Sequence, residues 1–222
     1  TVFYMVDANA GAAALESGEI DMMFTPPEMQ PRYEDDPDYM LLNYVYFTPI
    51  TLAFNHKHPA LADINVRRAI AHAIDKQLIV DELLGGLAEV GVAPIPPTVR
   101  FAASDLEEPY PYDPERSREL LSQAGAAGLT LTLDVYQNPD LEAVAQVLQA
   151  MLADVGVTLE VRVQEFAAYS ETIQQDQAEL YATSWGTVTL DADYTLYAFF
   201  HSSEIPANNG SRYAVPEVDD AL

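Results

Sequence analysis

Apolar residues recur at offsets of three and four at Val66, Ala69, Ile70, Ala73 and Ile74. That spacing puts them on one face of a helix. Asp75 interrupts the pattern and can cap a second helix with apolar residues Leu78, Ile79, Leu83 and Leu84. Gly85 and Gly86 supply a stop, because glycine accepts the left-handed conformation that commonly ends a helix. Residues 65–86 are therefore predicted to be a helix–break–helix unit that buries two apolar faces.

Further along, the period switches between two and 3.6. Asp113-Pro114-Glu115 opens a helix with an N-cap, a first-position proline and a first-turn acid, and Gly125 closes it. From Leu129, LTLTLDVY alternates and predicts a strand. Leu141, Val144, Ala145, Leu148, Met151, Leu152 and Val155 mark an amphipathic helix. VTLEVRV from Val157 is the next strand, residues 166–175 a helix, and ELYATSW a strand. Helix and strand alternate three times from Pro114, which favours an α/β layer with crossover connections.

The first 47 residues read as a small α/β piece. VFYMV is a candidate strand, residues 8–17 a helix stopped by Gly18, EIDMMF a strand, TPPEMQPRYEDDPD a proline-broken loop, and residues 39–47 a strand. ITLAF is a strand leading into the helical unit, and the proline-rich residues 87–113 form a long ordered loop without a period.

Composition refines this picture. The 222 residues are 49% hydrophobic, enough for a core. No run approaches the apolar length of a membrane span. Ten basic residues against thirty-five acidic ones give a net charge of −25, a field that repels nucleic acid and anionic membranes. The acids are scattered, as in Glu34-Asp35-Asp36 and Asp219-Asp220, which reads as an acidic solvated surface. Only Lys57 and Lys76 are lysines, and this bias points to a salt-loving source. Cysteine is absent, which excludes disulfide and thiol chemistry.

Candidate chemistry is sparse. His56 and His58 form an H-x-H pair before Pro59, but no cysteine or acid cluster beside them completes a metal set. His72 lies in the apolar helix, and His201 has no adjacent partner. Asp191 and Asp193 could pair for acid–base chemistry or calcium, yet two close acids among thirty-five are expected by chance. No nucleophile-elbow, zincin or phosphate-loop motif occurs. No cofactor or metal is expected. Trp185, the single tryptophan, sits where a strand ends and a loop opens, a usual place for ligand contacts in α/β proteins; plain core packing is the alternative.

Several blocks together resemble extracellular solute-binding protein family 5, the binding proteins of peptide- and nickel-type ABC importers. Phe54-Asn55 is followed by Pro59, then Asp63, Val66, Arg67, Ala69, Ile70, Ala73, Ile74 and Asp75, then Gly85 and Ile95-Pro96-Pro97. Residues 109–125 form a second block, and residues 185–222 a looser third. An A-L-x-x-G-E-I-D segment is present as Ala14, Leu15, Gly18, Glu19, Ile20 and Asp21.

The resemblance implies a periplasmic-binding-protein-like (type II) α/β lobe with a mixed sheet flanked by helices. It makes residues 1–47 a hinge-side remnant of the first lobe and residues 48–222 the second lobe, with the ends of the sequence read as truncations. The missing signal segment is expected to belong to the same truncation. Implied function is capture of a small solute, peptide-like or other, between two lobes, and delivery to a membrane permease, in the periplasm or outside the cell at the membrane. No bond chemistry is expected. An acidic hydrolase-like enzyme and a sensory or structural module that has lost transport are the alternatives. The family's cleft tryptophan corresponds to Trp185, with Ser184, Gly186, Thr187 and Val188 on the same wall. Tyr46 is a further ligand-contact candidate, with Tyr44 and Tyr213 beside it. In the family's peptide binders an Asp three residues after that tryptophan pairs with the peptide α-ammonium; Val188 stands there instead. An apolar surface left by an absent lobe would favour self-association.

Overall fold

Backbone pairing in the computed structural model, which describes residues 7–42, 48–103 and 105–222, joins four strands into one mixed sheet. They are β1 (Ile50–Phe54), β2 (Thr130–Tyr136), β3 (Thr158–Gln164) and β4 (Leu180–Ser184), in the order β1-β4-β2-β3. β2 runs parallel to both β3 and β4, while β1 is antiparallel to β4 with Ile50 opposite Ser184 and Phe54 opposite Leu180. All four strands fall on segments that the sequence predicts as strands, ITLAF, LTLTLDVY, VTLEVRV and ELYATSW.

The order of the strands explains where the helices go. Helix α5 (Pro139–Asp154) connects β2 to its neighbour β3, and α6 (Phe166–Gln174) carries the chain back past β2 to β4. Right-handed crossovers in opposite directions place their helices on opposite faces. α5 buries Leu141, Val144, Ala145, Leu148 and Leu152 in the main core, against Leu131, Leu133, Leu159 and Leu180 of the strands. α6 covers the other face through Tyr169, which packs with Ala178 and Tyr181. α2 (Ile64–His72) and α4 (Pro114–Gln123) complete the main core with Ala69, Ile70, Leu120 and Leu121.

Local chemistry fixes the ends of these helices. Asp63, Asp113 and Asn138 accept hydrogen bonds from the first-turn amides of α2, α4 and α5. Asp134, facing away from the main core on β2, is completely buried, and its carboxylate accepts from Arg162 at 2.5 and 2.9 Å and from Gln164 at 2.7 Å. This β3–β2 clamp satisfies a charge that would otherwise be costly inside the sheet.

Three expectations need correction. EIDMMF is not a strand: among the described residues its backbone takes no strand pairing, and Met22 and Phe24 stand exposed, so its apolar side chains have no buried face to hold an extended segment in place. The loop after it contains a 3-10 helix, Pro27–Arg32, with Pro31 inside. In the second half of the helical unit, one turn, α3 (Lys76–Leu78), passes into a π-helical turn, Ile79–Leu83. There the Leu84 amide bonds back to the Ile79 carbonyl, and the wider turn rotates Val80 inward while Leu78 stays exposed. The stop is as expected, with Gly85 at φ 60° and Gly86 at φ 71°. Helix α1 (Ala8–Glu16) ends before Gly18, and the described residues between 87 and 113 form no helix or strand. The candidate strands at residues 1–6 and 43–47 lie outside the described residues.

Candidate functional site

The parallel strands β2 and β4 end on the same edge of the sheet, and the antiparallel β1 starts there. Side chains at carboxyl ends of parallel strands face open space beyond the sheet, the usual ligand position in open α/β layers. Tyr136 ends β2, Ser184 ends β4, and Trp185 follows with its amide bonded to the Pro49 carbonyl at 3.4 Å.

Trp185 is half-buried and held on three sides. Its indole N–H donates to Thr195 Oγ1 at 3.2 Å. Its ring stacks on Tyr194, 5.6 Å between centroids and 22° apart, and leans over Phe199 at 5.0 Å. Thr195, Tyr194 and Phe199 all come from α7 (Ala192–Phe200), a helix the periodicity does not announce because nearly all of its residues are apolar or aromatic. Thr195 also shares a 2.8 Å hydrogen bond with Thr187.

Five of the six residues expected to contact ligand come together here. Ser184, Trp185 and Gly186 are partly exposed, and Val188 is 76% exposed. Thr187 is buried, its hydroxyl committed to Thr195, so it shapes the loop from inside. Tyr46 and Tyr44 lie outside the described residues. Tyr213 packs edge-on against His56 beyond the far end of β1, away from Trp185.

Two aromatic residues at this edge carry no sequence signal beyond their place at element ends. Tyr136 packs edge-on against Phe166, which opens α6 and is 61% exposed. Burial raises the Tyr136 phenol above its ordinary value, with the Ser184 backbone amide partly offsetting it, so the hydroxyl stays protonated. The edge thus offers flat aromatic surface with neutral polar tips.

The other candidates have structural partners. Asp191 is the N-cap of α7, its carboxylate accepting from the Asp193 amide at 3.3 Å, while the Asp193 side chain is exposed. His58 faces Glu179 at 3.4 Å, and burial lowers His56 below the usual imidazole value. Among the described residues no three His, Asp or Glu side chains converge as metal ligands.

Residues 1–207 match the bacterial extracellular solute-binding proteins, family 5 Middle. The chain is 27% identical to heme-binding protein A of Haemophilus influenzae over 97% of its own length and 41% of that protein's. It is also 27% identical to the glutathione-binding protein GsiB of Escherichia coli, over 98% of this chain and 44% of that one. A solved structure, the ABC transporter-associated periplasmic binding protein DppA of Helicobacter pylori in complex with the peptide STSA, superposes with a TM-score of 0.87 at 28% identity, covering 97% of this chain and 43% of that one. The chain spans less than half the length of these relatives.

Proposed function

The chain belongs to the bacterial extracellular solute-binding proteins, family 5, and from that membership we propose that it is part of the substrate-binding component of an ABC-type importer. It captures a small solute against the sheet edge at Trp185 and presents it to a permease, in the periplasm or outside the cell. Residues 48–222 form one lobe, and residues 1–47 belong to the hinge side of the other. The work done is binding and hinge closure, with no covalent step. The observation that carries this reading is the Trp185 platform: an indole whose N–H is satisfied from behind by Thr195, fixed by Tyr194 and Phe199, at the carboxyl end of a parallel strand pair. Such a preorganised aromatic face adds affinity because little ordering is left to do on binding.

The solute held here lacks a free α-amine next to Trp185. Val188 takes the position of the family's ammonium-pairing Asp, and Asp191 is engaged as a helix cap. Stripping water from an ammonium without a charged partner costs several kcal/mol. The test is calorimetry on the full-length protein with matched free and N-acetylated dipeptides. Acetylated forms are expected to bind, Trp185→Ala to weaken them about tenfold or more, and Val188→Asp to shift preference towards free amines. Equal binding by Trp185→Ala would remove the platform from the site, and tight free-peptide binding lost on acetylation would overturn the ligand assignment.

A further inference from the structure

The loop formed by residues 87–113 reaches the site through one parallel bridge. The Arg100 amide donates to the Leu190 carbonyl at 3.1 Å, and the Ala192 amide donates to the Arg100 carbonyl at 3.1 Å. A bulky residue beside each side of this bridge has a left-handed backbone: Phe101 at φ 66° and Leu190 at φ 55°. Both are exposed, Phe101 by 71% and Leu190 by 48%, so burial of their side chains does not account for the conformation. Large L-residues avoid this region because Cβ crowds the following carbonyl, and such outliers cluster where a site needs a fixed shape.

Arg100 adds a charge to that shape. Its guanidinium carbon lies 4.5 Å from the centroid of the Phe101 ring. Seven of the ten basic residues pair with a carboxylate. Arg67 spends its guanidinium on the Leu61 and Ala62 carbonyls. That leaves Arg68, on the exposed side of α2, and Arg100, neither paired with a carboxylate among the described residues. With thirty-five acids in the chain, Arg100, exposed on the loop bridged to residues 190–192, meets none of those among the described residues and remains open to another partner. A guanidinium laid over a ring retains its in-plane N–H fork for a planar anion. The surrounding field of −25 repels anions at long range, so only a short, directional contact of this kind can hold one.

We infer that Arg100, carried on Phe101, recognises a carboxylate of the captured solute, and that an apolar part of the same solute lies against Phe101, Leu190 and Val188. This rests on the capture reading above and names the solute class for it: an amine-blocked or amine-free carboxylic acid with an apolar body.

The test uses the full-length protein and N-acetyl dipeptides of apolar residues, each with a free carboxylate or as the C-terminal amide. The acid is expected to bind about tenfold or more tightly than the amide. That ratio should fall to near one in Arg100→Gln and be kept in part by Arg100→Lys. Arg100 makes the bridge through its backbone, so neither variant should change the melting temperature by more than a degree or two, roughly the effect of a surface substitution. Binding of both forms without discrimination, or a ratio untouched by Arg100→Gln, overturns the inference and leaves capture standing. Silence of both series overturns the capture reading and this inference with it.

Discussion

Thr195 has one hydroxyl and two duties, since it accepts from the Trp185 indole and bonds the buried Thr187 hydroxyl. Thr195→Val keeps the shape and strands both partners. Leaving a buried hydroxyl unpaired costs about 1–3 kcal/mol, so urea unfolding should show a loss of that size, mostly recovered in Thr195→Ser. A loss under about 0.5 kcal/mol, the scale of a neutral substitution, would mean that Thr187 finds another partner. Asp176 makes a different kind of prediction. Burial alone would raise its carboxyl, but hydrogen bonds from Asn55 and Arg212 and the charges of Arg212 and Lys57 outweigh burial and hold it below the ordinary value. A depressed folded pKa gives stability that is fully present above the unfolded value, about 3.9, and is lost as pH falls through the folded value. Asp176→Asn should therefore be less stable than the parent at pH 7, with the gap narrowing under acid; a gap constant with pH would count against this assignment. At this scale the sequence discloses Trp185, a lone tryptophan at a strand end, but not Thr195 or Arg100. A threonine inside an apolar helix and an arginine in an aperiodic loop acquire meaning only from what the fold sets beside them.

Among the elements, α7 decides how Asp191 and Asp193 are read. As a helix cap, Asp191→Ala should cost about 1 kcal/mol while Asp191→Asn retains most of the stability, because asparagine caps equally well. Asp193→Ala should cost less, since an exposed first-turn acid contributes about 0.3–1 kcal/mol through the helix dipole. Denaturant titration of the three variants separates a cap from a functional pair, in which Asn would fail as Ala does. The strands and long helices were legible because their patterns are long and their caps explicit, as in Asp113-Pro114-Glu115 before α4. EIDMMF misleads because a short apolar run describes side chains alone, whereas a strand also needs a buried face, and Met22 and Phe24 stand exposed. The π-turn misleads because one added residue per turn moves burial from Leu78 to Val80 without altering composition.

For the molecule as a whole, charge dominates. A net −25 on 222 residues stores self-repulsion in the folded state. Salt at 1 M shortens the screening length to about 3 Å. The melting temperature should therefore rise between dilute buffer and molar sodium chloride, and a flat or falling series in calorimetry would defeat the salt-adapted reading. Family membership was legible at this scale because the blocks from Phe54 to Pro97 combine caps, stops and prolines in a fixed order. Ligand identity was not, since the proposed site draws on a few side chains that only the fold brings to one edge, from β4, α7 and the loop at Arg100.

The antiparallel pairing of β1 with β4 also has a mechanical side. A load applied to the chain just ahead of β1 first meets the bond between the Pro49 carbonyl and the Trp185 amide, and next the Ile50–Ser184 rung. The strands then peel apart one rung at a time, like a zip fastener pulled from its open end. A parallel β1 would have put the same load across every rung at once, in shear. The weakest direction of the joint is thus the one that begins at Trp185, and torque entering along the chain from before residue 48 reaches the backbone of the aromatic platform with almost no lever arm between them.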